Sequence, residues 1–322
     1  MPEYTAKSVF SLFKTTATEF SENDSLMLAA AVAFNAIFSI PPLLIIIIRA
    51  AGAVWGEAAV SGNLSNQISE AVGPSAAQQV ETIIQNAQLS ETGGIALWIG
   101  IGTLVFASTT FFVTLQKSLN YVWNLKVKPA SSILRMVKER VFSFGIILSI
   151  ALLMLISFVV SAAISILSDY LTGLLPEGMG VWLIKAIDFV VSVGIITTLF
   201  ALIFKYLPDG NIRWKDLWVG AFVTAVLFTI GKFLISWYIG TSDPGSAYGA
   251  AGSIILLLIW IYYSSMIVLY GAEFTQQYAD TFGQHVRPKE HAVFVEEREV
   301  REDPVDKKSG RPPSEGRFEK ED

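Results

Sequence analysis

Ser246–Tyr278, SAYGAAGSIILLLIWIYYSSMIVLYGAEFTQQY, decides the fold. From Gly252 to Ala272 it carries no charged residue. At about 1.5 Å per residue, a helix of that length matches a hydrocarbon core of about 30 Å. The stretch therefore reads as a membrane-spanning helix. Small residues crowd its entrance (Ser246, Ala247, Gly249, Ala250, Ala251, Gly252, Ser253) and permit close backbone approach to a neighbour. Its exit carries Glu273, either an interfacial carboxylate on a packed helix or a group on a polar pathway.

The whole chain has the same character. Hydrophobic residues make up 52% and charged residues 16% of its 322 residues, and the mean hydropathy is +0.52. These values belong to a protein whose main solvent is lipid. The net charge of -5 arises largely from an acidic C-terminal segment. Cysteine is absent, which excludes disulfides and thiolate metal sites. The opening MPEYTAKSVFSLFKTTATEFSEND has no apolar core or small-residue cleavage site, so no cleavable signal peptide is expected.

In chain order, residues 1–25 read as a cytoplasmic segment with an amphipathic helix at the membrane surface. Six spans follow, at about 26–55, 94–116, 141–167, 181–204, 217–239 and 252–274, with an external loop at 56–92. Pro41 and Pro42 interrupt the first span, because proline has no N–H and disfavours helical geometry before it. Residues 280–322 are rich in charge and proline and read as a disordered cytoplasmic tail. The expected fold is thus an all-α integral membrane protein, a bundle of six helices.

Orientation follows from the connectors. The segments at 56–92, 168–180 and 240–251 contain no Lys or Arg, whereas 117–140 carries six and 205–216 carries three. The positive-inside rule then puts both termini in the cytoplasm.

Charges inside spans are costly, and they mark candidate sites. They are Arg49, Lys185, Asp188, Lys232 and Glu273. Arg49 and Lys185 can snorkel to outer headgroups. Lys232 is deeper, and a pair with Asp188 is expected, either purely structural or lining an outward-open, positive cavity for an anionic headgroup or solute.

The blocks FNAIFSIPPLL, STTFFVTLQKSLNYVWNLK, KERVFSF, YLPDGNIRWKDLWVGAFVTAVLFTIGKFLISWY and SAYGAAGSIILLLIWIYY through GAEFTQQYA resemble the YihY/virulence factor BrkB family of bacterial inner-membrane proteins, once labelled ribonuclease BN. The resemblance runs from about Leu26 to Tyr278. It implies a six-helix protein of the bacterial cytoplasmic membrane and no settled activity; roles in serum resistance and in lipid or solute transport have been proposed for members.

The nuclease label finds no support in the residues. Metal-dependent hydrolysis needs clustered His, Asp or Glu, and both histidines, His285 and His291, lie beyond the spans. GSAYGAAG lacks the GKS or GKT ending of a phosphate loop. The basic connector at 117–140 reads as a topology determinant and an anionic-lipid contact. The expected function is a transporter or flippase-like protein for an anionic lipid or solute, without enzyme activity, catalytic residues, metal or cofactor. The alternative is a non-catalytic scaffold or envelope-integrity protein. Expected partners are membrane lipids with anionic headgroups, and a second copy of the chain; nucleic acid is not expected.

Overall fold

The computed structural model describes residues 5–56, 95–128, 179–242 and 244–295, with positions 60–62, 65 and 145. Six α-helices have both ends in this set: α1 (Ala6–Glu22), α2 (Ser25–Trp55), α3 (Ile95–Val122), α4 (Met179–Tyr206), α5 (Trp214–Ser242) and α6 (Gly252–Phe282). A 3-10 turn, Ser246–Ala251, leads into α6, with Gly249 at φ 53°, a left-handed value open to glycine. Among the described residues three helices, α4, α5 and α6, are long and apolar enough to cross a membrane, and the bent pair of α1 with the first part of α2 makes a fourth candidate. All but one position of the third expected span, 141–167, and most of the 56–92 loop lie outside the described residues.

The expected break at Pro41–Pro42 is absent. Helix α2 runs unbroken through both prolines to Trp55. Proline's fixed φ is helical, so the cost falls on the carbonyls of Ile37 and Phe38, which lose their N–H partners. The real bend comes earlier, at Asn23–Asp24, where α1 and the first part of α2 meet at 67°. Asp24 there adopts φ 48°, a left-handed conformation that aspartate tolerates better than most residues. Nor does α1 lie alone on a membrane surface. Phe13 meets Phe274 at a tilt, with ring centres 5.0 Å apart, and Phe20 meets Tyr270 edge-on at 5.6 Å, which lays α1 along α6.

Helix α2 packs on α3 and α6, and α5 packs between α4 and α6. The α5–α6 crossing is closest at Gly220 and Gly271, each of which faces a threonine, Thr275 and Thr224 respectively. Deep burial concentrates at one end of the bundle. Trp123, Phe204, Leu207, Leu217 and Leu269 are fully buried there, where α3 and α4 end, α5 begins and α6 passes. This is the end that bears the basic connectors.

A second correction concerns the chain beyond residue 280. Helix α6 continues to Phe282, and the residues after it form two short strands rather than opening a disordered tail. β3 (Arg287–Pro288) pairs antiparallel with β2 (Gly210–Asn211), and β4 (Ala292–Phe294) pairs antiparallel with β1 (Leu125–Val127). Val286 and Ala292 are buried, so this polar segment is held by apolar anchors and by backbone pairing that its composition does not reveal. Residues 296–322 lie outside the described set.

Candidate functional site

Two polar clusters occupy the buried end of the bundle. The first surrounds Glu273 on α6. The sequence places it near the end of a span, but α6 runs nine residues further, and the side chain is 1% exposed. Asn23, at the α1–α2 bend, donates from Nδ2 to Glu273 Oε2 at 3.1 Å. Gln277, one turn on, donates from Nε2 to Oε1 at 3.3 Å. Among the described residues no base is in ion-pair contact with Glu273. Its hydrogen-bond partners among the described residues are neutral amides, a costly arrangement for a carboxylate in a lipid-embedded bundle.

The second cluster centres on Asp209, in the turn between α4 and α5, and sequence reasoning gave it no role. Its Oδ2 accepts from Asn120 Nδ2 at 2.7 Å and from Gln116 Nε2 at 3.2 Å, both on α3. Its Oδ1 stands 2.8 Å from His291 Nε2. Its backbone N–H donates to Asn120 Oδ1 at 2.7 Å, and its carbonyl accepts from the Lys289 N–H at 2.9 Å. One residue thus ties α3, the α4–α5 turn and the β3–β4 segment together. Lys289 Nζ also donates to the Pro208 carbonyl at 2.7 Å. Burial holds the Lys289 ammonium below its ordinary pKa; neighbouring Asp209 opposes that shift and Lys205 adds to it. The available signal was the YLPDG turn itself, whose Asp-Gly pair marks a tight turn.

Trp123 completes this end of the molecule. Its ring is fully buried, and Nε1 donates to the Ala272 carbonyl at 3.0 Å, next to Glu273 in the chain. Asp216, in the first turn of α5, is 5% exposed and accepts from Arg213 Nε at 3.0 Å and from the Gln284 N–H at 3.4 Å. Its charge also suits the positive end of the helix.

The other expected site residues are not gathered here. The side chains of Arg49, Lys185 and Asp188 lie outside the described residues. Lys232 is half-buried on α5 and forms no ion pair among the described residues; the expected Lys232–Asp188 pair therefore falls outside the description. No group of three or more His, Asp or Glu residues arranged to hold a metal ion occurs among the described residues.

The profile of the virulence factor BrkB family matches residues 16–294. The chain belongs to this family. The BrkB match ends on the last residue of β4, so it takes in the segment after α6 as well as the helices. Similar proteins carry the name UPF0761 membrane protein. That of Haemophilus influenzae (strain 86-028NP) is 27% identical over 83% of this chain and 94% of its own length. That of Mannheimia succiniciproducens is 26% identical over 84% of this chain and 90% of its own length. That of Verminephrobacter eiseniae is 28% identical over 82% of this chain, which spans 62% of that longer relative. No solved structure matches the chain. The chain is accordingly a multi-pass membrane protein.

Proposed function

We propose that this protein is a transporter or flippase-like carrier of an anionic lipid or solute, not an enzyme, set in a bacterial cytoplasmic membrane with six spans and both termini inside. The observation that carries the reading is Glu273, a buried carboxylate with only amide partners among the described residues. Intramembrane acids without a base beside them are retained where a proton or a cargo must pass, because otherwise their desolvation is pure cost. Its partner Asn23 sits on the α1–α2 bend, so a change in that angle alters the Glu273 hydrogen bonds directly. A site that senses helix geometry in this way suits a protein that alternates between conformations.

The test is lipid movement in vesicles. Purified protein is reconstituted with a fluorescent phosphatidylglycerol, and loss of the label's protection from an external quencher is followed against empty vesicles. The parent should exceed empty vesicles, and Glu273→Gln, which keeps the side-chain shape, should fall toward them while remaining folded. If the parent moves neither this lipid nor a panel of small anions, the transport reading fails and a scaffold role remains.

A further inference from the structure

Where α4 ends and α5 begins, the β2–β3 pairing lays Arg287 beside Asn211. The result is a cleft of about 370 Å³ lined by Lys205, Asn211, Arg213, Trp214, His285 and Arg287, among others. No carboxylate lines it among the described residues. The two acids bonded to its lining are already engaged: Asp216 holds Arg213 at 3.0 Å, and Asp280 lies 2.7 Å from His285 Nδ1. Of the three permanent cations, Lys205, Arg213 and Arg287, only Arg213 is ion-paired among the described residues, which leaves a positive surplus facing the opening.

Each lining group is positioned. Lys205 Nζ donates to the Ile212 carbonyl at 2.6 Å and stands 5.6 Å from the centre of the Trp214 ring. Arg213 is oriented by Asp216 yet its side chain remains 42% exposed. Arg287 is exposed and has no acid partner among the described residues; its backbone is fixed by pairing with Asn211. Trp214 and Tyr206 meet edge-on at 6.3 Å, at the ends of two apolar helices. Tryptophan and tyrosine at such ends mark the headgroup level of a membrane.

We propose that this cleft binds the phosphate of an anionic phosphate ester. Arg287 and Arg213 donate to its oxygens, Lys205 adds charge, and Trp214 forms the apolar wall toward the membrane. The planar fork of arginine matches a phosphate's paired oxygens, and two arginines with a lysine, uncancelled by lining acids, select an anion. The ester's source is either a phospholipid headgroup or a soluble molecule. This site uses different residues from Glu273 and does not depend on transport.

Full-length protein in neutral detergent is titrated with short-chain phosphatidylglycerol and, separately, with glycerol phosphate; bound lipid is counted by native mass spectrometry and bound glycerol phosphate by calorimetry. Arg287→Gln should weaken binding about fivefold, the effect of one base at a lipid surface. Lys14→Met, an exposed base on α1 and not on the cleft lining, should leave binding unchanged. A loss confined to phosphatidylglycerol assigns the headgroup, and a parallel loss for glycerol phosphate assigns the soluble ester. Thermal stability checks folding, and Arg287→Lys, which keeps the charge but not the fork, serves as the second variant. Equal binding by parent, Arg287→Gln and Arg287→Lys, or an equal loss in Lys14→Met, overturns the site. Binding without lipid movement keeps the site and removes only the transport reading.

Discussion

Gly220 on α5 and Thr275 on α6 share one space: a β-carbon on Gly220 would fall on the threonine hydroxyl. The arrangement is reciprocal, since Gly271 on α6 faces Thr224 on α5 in the same way. Each threonine hydroxyl donates to the glycine carbonyl four residues before it on its own helix, Thr224 to Gly220 at 2.7 Å and Thr275 to Gly271 at 2.6 Å. The hydroxyls are thus satisfied while the two backbones approach closely, which is how helices associate where lipid offers no hydrophobic drive.

Gly220→Ala should therefore destabilise the protein by about 1–3 kcal/mol through overpacking. Adding Thr275→Gly should recover much of that loss, because the space is shared. Thermal unfolding in detergent reads both. Full additivity of the two substitutions would show that the contact is not the cause.

Asp209→Ala leaves Asn120, Gln116 and His291 without their common acceptor. A loss of about 3 kcal/mol is expected, with Asp209→Asn milder because it still offers one oxygen. Limited proteolysis should cut the 287–294 segment sooner in Asp209→Ala than in the parent. For the same reason, truncation after Phe282, which composition alone suggests is harmless, should lower stability by removing buried Val286 and Ala292. Truncation after Val295 should leave stability unchanged.

Lys289 supplies a pH dependence. Its pKa is lowered in the folded state, so between that value and the ordinary 10.5 the unfolded chain holds more protons than the folded one. Stability from this group rises with pH across that alkaline window. Relative to Lys289→Met, which does not titrate, the parent should gain stability as pH increases toward 10.5. Melting temperatures of the two proteins measured side by side check the sign; a parent that loses stability relative to Lys289→Met as pH rises would refute it.

The orientation is tested with introduced cysteines, since the chain has none of its own. Ser242 and Lys126 lie on different connectors, one without bases and one rich in them. In intact cells an impermeant thiol reagent should label Ser242→Cys and not Lys126→Cys. The opposite pattern would invert the topology.

What the sequence determined by itself are the properties that near neighbours along the chain decide. Predominantly apolar runs long enough for a bilayer mark α4, α5 and α6 to within a few residues at most ends, and Glu273 stands out because an acid so near an apolar run is costly. Tertiary structure decided the rest. The bend lies at Asn23–Asp24 and not at Pro41–Pro42, because proline's φ is already helical and a span in lipid keeps its remaining hydrogen bonds. Asp209 gains its role from Asn120, 89 residues away, and from His291, 82 residues away. Arg287 meets Arg213 and Lys205 in one cleft only because β3 pairs with β2. Hydrogen bonds and charge clusters of that kind depend on where helices dock, and docking is settled by packing between distant segments, which no local periodicity records.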